Sequence, residues 1–321
     1  MGYDTRRQDI RAGRSGWTIN RRELLRAAGV SLAAPVLWSL SCARSDMSDT
    51  ARRPVRFGLV TDCHYADAEP AGTRFYRESR DKLAECVARM NDQNVDFLIE
   101  LGDFKDQGRP PVERETLSYL QAIETVFQRF NGPTYHVLGN HDMDSISKAQ
   151  CLARMRNTKV DADRSYYSFD IKGLHCVVLD ANYTSSGKDY DHGNFYWTDA
   201  NVPPAELDWL RKDLATASGP VVAFLHQLLD GTGSVYVKNA ADVRDVLEEA
   251  GNVLAVFQGH HHAGSYTCIS GIHYYTLKAL IEGSGLASSA YAIAEVQPDG
   301  NITISGYRKA ETRRLVSPQI S

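Results

Sequence analysis

Apolar residues along this chain recur with two alternating periods. Short apolar runs, such as residues 55–60, stop abruptly at polar residues; between them lie longer stretches in which apolar positions return every three or four residues. Runs of the first kind read as buried strands and stretches of the second as amphipathic helices. Strands are predicted at residues 55–60, 95–101, 135–138, 166–169, 175–179, 221–225, 253–257, 273–277, 290–296 and 302–307. Helices are predicted at residues 74–90, with Phe75, Leu83, Val87 and Met90 on one face, and along the stripe Leu117, Leu120, Ile123, Phe127 and Phe130. Two more fall at residues 205–217 and 240–250. Asp299-Gly300 reads as a hairpin turn, and residues 166–169 with 175–179 as a hairpin. Alternating strands and helices imply parallel strand pairs covered by helices. Two such halves, each extended by antiparallel strands, predict an α/β fold: a two-sheet α/β/β/α sandwich.

The alternation begins at residue 55 and shows no internal repeat, which predicts one domain over residues 55–310 and a C-terminal tail over 311–321. Residues 44–54 read as a linker. Ahead of it, the charged stretch Asn20-Arg21-Arg22-Glu23-Leu24-Leu25-Arg26 precedes apolar residues 27–38, too few to span a bilayer. Paired arginines followed by two leucines and a base resemble a twin-arginine export signal over residues 1–43, whose cargo crosses already folded. An amphipathic basic helix is the alternative. Ser41-Cys42-Ala43 offers small residues for cleavage, and Cys42 is an alternative lipidation site. The expectation is an exported, periplasmic or cell-surface protein that meets a membrane only through the export machinery or a lipid on Cys42.

That segment changes the charge balance. It holds seven of the 36 basic and three of the 40 acidic residues, leaving 29 and 37, a net charge of −8. An acidic surface repels phosphate backbones, so no nucleic-acid partner is expected. An anionic substrate would need a local inversion of the field, which bound metal supplies. The five cysteines after Cys42 are odd in number and match no zinc spacing.

Polar residues cluster where the predicted strands end. Asp62 and His64 follow the first strand, and Gly102-Asp103-Phe104-Lys105-Asp106 the second. Gly139-Asn140-His141-Asp142 follows the third, His226 ends the strand at 221–225, and Gly259-His260-His261-His262 follows 253–257. Ligand sites in open α/β folds gather at the carboxyl ends of strands. In an extended segment alternate side chains share a side, so His260 and His262 converge while His261 faces elsewhere. Carboxylate, imidazole and carboxamide groups suit Mn, Fe or Zn. Two such ions clamp the attacking and leaving oxygens of an in-line displacement at phosphorus.

Asp62-x-His64, Gly102-Asp103-x-x-Asp106, Gly139-Asn140-His141-Asp142, His226 and Gly259-His260-x-His262 together resemble the calcineurin-like metallophosphoesterase superfamily, across residues 55 to 307. The resemblance implies a metallophosphoesterase-type sandwich with a first ion on Asp62, His64, Asp103 and His262. The second ion would lie on Asp103, Asn140, His226 and His260, with manganese favoured. His141 would meet the scissile phosphoryl group or leaving oxygen, steered by Asp142. The superfamily's usual proline two residues after the lone histidine is absent from His226-Gln227-Leu228, so His192 and His175 stand as alternatives to His226. Asp106 takes the place of the tyrosine ligand of purple acid phosphatases, and is expected to hydrogen-bond within its own loop. Arg74-Phe75-Tyr76-Arg77-Glu78-Ser79, Val178-Leu179-Asp180 and Gly264-Ser265-Tyr266 resemble manganese-dependent ADP-ribose/CDP-alcohol diphosphatases.

Asp180 is expected to cap a turn, and His136 and His273 to be core or rim residues. Asn194-Phe195-Tyr196-Trp197 is equally readable as a pocket wall for a ring or as packing under a loop. The expected function is an exported dinuclear phosphohydrolase using a metal-activated hydroxide on a small phosphodiester or a nucleoside diphosphate conjugate, with Arg74 and Arg77 binding a second phosphate. A phosphomonoesterase and a non-catalytic metal-binding domain are the competing expectations. Oligomeric state, metal identity and natural substrate are not readable from the chain.

Overall fold

A computed structural model describes residues 53–317; the predicted export signal at residues 1–43 lies outside them. Its first sheet holds β1 (Val55–Val60), β2 (Phe97–Glu100), β3 (Thr134–His136), β10 (Ala290–Val296), β11 (Ile302–Arg308) and β12 (Arg313–Leu315), in the order β12-β11-β10-β1-β2-β3. The second holds β4 (Tyr167–Ile171), β5 (Leu174–Val178), β6 (Val221–Leu225), β7 (Val253–Gln258), β8 (Ser265–Ile269) and β9 (Ile272–Thr276), in the order β4-β5-β6-β7-β9-β8. The first sheet joins parallel β1-β2-β3 at one edge to antiparallel β10, β11 and β12, and the second has a parallel centre, β5-β6-β7-β9, flanked by antiparallel β4 and β8. This is the predicted α/β/β/α sandwich.

Period-two alternation decides which residues join which layer. In β1 and β2, Phe57, Leu59, Phe97 and Ile99 face the second sheet, while Val60 and Leu98 face the helices. Between the sheets Phe57 stacks on Phe97 at 4.8 Å, and Phe224 and Phe257 meet Phe57 edge-on at 5.7 and 5.4 Å. Each such pair contributes about 0.5–1.5 kcal/mol beyond area burial. Helix α1 (Ser79–Asp92) buries Leu83, Cys86, Val87 and Met90 on the first sheet, and α2 (Glu113–Phe127) buries Leu120, Ile123 and Phe127 beside it. A short helix, α3 (Lys148–Leu152), adds Cys151 and Leu152 to that layer. On the other face α4 (Pro204–Leu214) and α5 (Ala240–Ala250) bury Leu207, Leu210, Leu214, Val243, Val246 and Leu247.

Three departures from the predicted elements matter. The helix predicted from residue 74 begins at Ser79 after a 3-10 turn, because Arg74 is drawn into backbone bridges with Ala71 and Glu282. Strand β12 lies in the segment read as a tail, pairing with β11 and burying Leu315, so the folded body continues past residue 310. Elements α3 and β8 were not predicted. Five residues complete barely one helical turn, and β8 is a half-exposed edge strand whose apolar pattern is weak.

Candidate active site

The loops after β1, β2, β3, β6 and β7 meet at one end of the sandwich, and the seven predicted ligand residues arrive there together. Asp62, His64 and His262 form one group, and Asp103, His226 and His260 a second; within each, one ligand atom per residue lies within 4.8 Å of the others. Asp103 joins the groups. Its Oδ1 accepts from the His141 N–H at 2.7 Å, while Oδ2 lies 3.5 Å from His64 Nε2 and 3.1 Å from His226 Nε2. His262 Nε2 stands 3.3 Å from Asp62 Oδ1 and 3.2 Å from His64 Nε2.

The loops reach this point through backbone that ordinary side chains avoid. Asp62, His64, Asp103 and His260 all have positive φ, at 52°, 45°, 56° and 64°. Such conformations cost energy and persist where tertiary structure imposes them, commonly at functional sites. Gly139 permits the closest approach: a Cβ there would sit 2.1 Å from the Asp103 backbone nitrogen. Gly102, at φ +96°, turns β2 into the loop beside the His226 ring.

Several polar atoms here are buried and make no well-directed hydrogen bond: Asp62 Oδ1, Asn140 Oδ1, His226 Nε2 and His260 Nε2, although His262 Nε2 approaches the first and Asp103 Oδ2 the third. Orphaned buried polar atoms are uncommon and need a reason. These four belong to four of the predicted ligands, and for Asp62 and His226 the companion atom is occupied. Asp62 Oδ2 accepts from Thr61 Oγ1 (2.7 Å) and the His260 N–H (3.1 Å), and His226 Nδ1 donates to Leu101 O (2.7 Å). His262 Nδ1 contacts Glu282 Oε1 at 2.5 Å, and His64 Nδ1 contacts Asp106 Oδ2 at 3.3 Å. His64, His226 and His262 are thus held at Nδ1 with Nε2 toward the other ligand atoms, the arrangement that orients metal-binding histidines. The residues fit a pair of divalent ions.

Electrostatics agree with that fit. Burial and the neighbouring His226 push His260 down to about 3, keeping it neutral, the form that ligates. Burial opposes protonation of His226, but Asp103 overrides it and raises the imidazole to about 9. An ion at this position would therefore displace a proton.

His141 lies on the rim, partly open, with Nδ1 3.6 Å from Asp106 Oδ2 and 3.8 Å from Asp144 Oδ2. Burial works against its protonation, yet the Asp103 and Asp106 carboxylates raise it well above the usual imidazole range. Asp142 does not steer it, contrary to the expectation from sequence. Its carboxylate is fully buried and accepts backbone N–H bonds from Gly139 (2.8 Å), Asp103 (3.1 Å) and Phe104 (3.0 Å), pinning two site loops together. Asp106 bonds within its loop to the Gln107 N–H and also reaches His64 and His141.

The two arginines separate. Arg74 lines a cavity of about 290 Å3 with Asp103, Asn140, His141, Trp197, His260 and His262. Arg77 points away and is committed to Asp67 and Glu69 on the surface, so it is not part of the site. The aromatic segment divides too: Phe195 stacks on buried Tyr190 at 3.8 Å, while Trp197, 45% exposed, tilts over His260 at 5.6 Å. The alternatives to His226 lie elsewhere: His175 pairs with Asp170 and Asp213, His192 with Asp191 and Glu113. Asp180 accepts from Lys148 and from its own loop, the expected turn cap. Glu282, Asp144 and Lys105, whose ammonium donates to His141 O and pairs with Asp144, were not anticipated. Lys105 lies within the Gly102–Asp106 cluster and Asp144 two residues after Asp142, but no residue pattern marks either, or Glu282, as a site residue.

Known proteins resemble this chain in sequence and in fold. A manganese-dependent ADP-ribose/CDP-alcohol diphosphatase of Oryza sativa subsp. japonica is 27% identical over 314 residues, spanning 84% of this chain and 97% of that protein. The Homo sapiens protein of the same description is 24% identical over 79% of this chain and 90% of its own length. The crystal structure of a dimetal phosphatase from Danio rerio superposes with a TM-score of 0.71 at 22% identity, covering 82% of this chain and 99% of that one. The calcineurin-like phosphoesterase profile matches residues 55–264, a span that contains every loop converging on the two ligand groups. With that match the chain belongs to the calcineurin-like phosphoesterase family, and it is a metallophosphoesterase, a hydrolase of phosphoric ester or anhydride bonds.

Proposed function

We propose that the chain is an exported phosphohydrolase that cleaves the diphosphate of a nucleoside diphosphate conjugate or a similarly small phosphodiester, with two divalent ions, manganese favoured. The first ion would be held by Asp62, His64, Asp103 and His262, the second by Asp103, Asn140, His226 and His260. The observation that carries this assignment is the set of four buried ligand atoms without a hydrogen bond, on Asp62 of the first group, His226 and His260 of the second, and Asn140. Bound there, the ions would polarise the phosphoryl group and acidify the attacking water. His141, its Nδ1 against Asp106 and Asp144, has Nε2 available to protonate the leaving oxygen.

Arg74 and Trp197 support the substrate class. The Arg74 guanidinium is close enough to His262 and Glu282 to bear on both their charges, whereas Trp197 lies over His260. A substrate lying along the ion pair would meet a cation at one end, suited to a second phosphate, and an aromatic face at the other, suited to a base. A phosphomonoester has no second phosphate for Arg74 to bind. The diphosphatase relatives are described as manganese-dependent and as acting on ADP-ribose and CDP-alcohols, which favours the same reading.

The test is a panel in Mn2+ of ADP-ribose, CDP-choline, cyclic AMP, bis-nitrophenyl phosphate and AMP, compared by kcat/KM. ADP-ribose or CDP-choline is expected to lead. Arg74→Ala should lower kcat/KM for these diphosphates roughly 10-fold or more, the scale of a charged hydrogen bond, with little effect on bis-nitrophenyl phosphate. AMP leading by an order of magnitude would make the enzyme a phosphomonoesterase instead.

A further inference from the structure

Lys82 occupies a position in α1 where the sequence suggests a solvated lysine, yet its side chain is fully buried. Its ammonium faces four consecutive carbonyl oxygens, of Leu280 (3.2 Å), Ile281 (3.1 Å), Glu282 (3.3 Å) and Gly283 (2.6 Å). Three N–H donors serve this cradle, and among the described residues Lys82 forms no ion pair. Burying an ammonium without a direct ion pair is costly, and here the carbonyls, with the Glu78 and Glu282 charges nearby, offset that cost.

Those carbonyls belong to a segment that is tied to residues 73–75, through Gly283 N–H to Thr73 O (2.8 Å) and Phe75 N–H to Ile281 O (3.3 Å), and that also contacts the active-site loops. Ala279 N–H donates to His262 O (3.1 Å), Leu280 N–H to Thr61 O (3.1 Å) and Ile281 N–H to Asp62 O (3.2 Å). The Glu282 carboxylate holds His262 Nδ1 at 2.5 Å. One turn before Lys82, Glu78 accepts from Ser284 Oγ (3.0 Å) and Gly285 N–H (2.6 Å), so the start of α1 grips the same segment twice. Arg74 is bridged to it through the backbone of Glu282.

We infer that Lys82 is a positioning residue of the metal centre: by gathering the carbonyls of residues 280–283 it fixes Glu282 against His262 and so presents His262 Nε2 to the first ion. The inference rests on the dinuclear reading above. A simple tie between helix and loop would stabilise the fold without favouring either ion. A relay through Glu282 acts on the first ion alone, because His262 belongs to that group and the second group has no contact with the segment among the bonds described.

The experiment uses the full protein, stripped of metal and titrated with Mn2+, with free ion and exchange-coupled pairs followed by electron paramagnetic resonance. Wild type is expected to bind two ions and develop the coupled-pair signal. Lys82→Met, which keeps the length and removes the charge, should weaken one of the two sites by roughly 10–100-fold, the usual effect of losing a partner that orients a metal-binding histidine. At intermediate Mn2+ its spectrum should be that of isolated ions. Glu282→Gln should behave alike, and the double variant should be little worse than either single one, as expected for two members of one relay. Lys148→Met removes a buried lysine bonded to Asp180 and Asp189 instead, and should leave both affinities unchanged. Lys82→Met that binds both ions like wild type, losses that add in the double variant, or a Lys82→Met protein that does not fold would each overturn the inference. Wild type that binds no ion pair would overturn the dinuclear reading itself, which separates the two failures.

Discussion

At the scale of single residues, His141 is the side chain whose chemistry is most exposed to test. It projects to the rim beside Asn140 with two carboxylates behind Nδ1, and it is not needed to hold either ion in the proposed assignment. His141→Ala is therefore expected to retain both ions and to lose about 10²–10⁴ in turnover on a substrate whose leaving group needs a proton. With nitrophenolate as leaving group the loss should shrink. Equal losses on both substrates, at full metal content, would remove the general-acid assignment. The same motif shows the limit of reading residues by adjacency. Asn140–Met143 forms a 3-10 turn, in which neighbouring side chains diverge, so Asp142 is sent inward to backbone N–H groups while Asp106 and Asp144 take the place beside His141.

At the scale of elements, the contact between β2, β3 and α2 hides a charged cluster. His136 on β3 lies 3.0 Å from Glu124 on α2 and 3.6 Å from Glu100 on β2, all of them buried, with Phe104 and Phe127 against the imidazole. Burial raises the Glu100 carboxyl from 4.5 to about 8, and although burial opposes it, the Glu124 charge raises His136 to about 9. A folded protein that keeps a proton the unfolded chain has released loses stability as pH rises. The Glu100 contribution is complete below pH 4.5 and is lost as pH climbs through about 8; that of His136 is lost through about 9. Thermal midpoints should fall from neutrality to about pH 9, and fall less in Glu100→Gln, which cannot ionise. Identical slopes for the two proteins would show that Glu100 does not carry the proton. Elements that pack by long periodic faces were legible beforehand: β1, β6, α5 and β10 have the predicted limits. Lys82 was not, because a lysine inside a polar–apolar pattern carries no sign that carbonyls from a segment about 200 positions away will enclose it.

At the scale of the whole molecule, two sheets bring their strand ends to one edge, and no ligand group can form until both have docked. The groups draw on β1, β2, β6 and β7 and therefore on both sheets, so ions loaded onto the folded protein are compatible with a route that exports folded cargo. Replacing Arg21-Arg22 by two lysines should leave the protein in the cytoplasm of a host that has the twin-arginine route. Export that continues unchanged would point to another translocation path.

Strand and helix periodicity, the order of elements and the polar clusters at strand ends are properties of the linear chain, because burial selects side chains locally at periods of two and 3.6 residues. From these the sandwich, the ligand types and the convergence of the loops could be anticipated without coordinates. What needed the tertiary structure was the direction each side chain takes and the partner it meets there. It parted Arg74 from Arg77, set Trp197 over His260, gave His141 its carboxylates and Asp142 its backbone donors, and aligned Glu282 with His262. Such relations depend on where a side chain points after the sheets have packed, and no local period of the sequence encodes that direction.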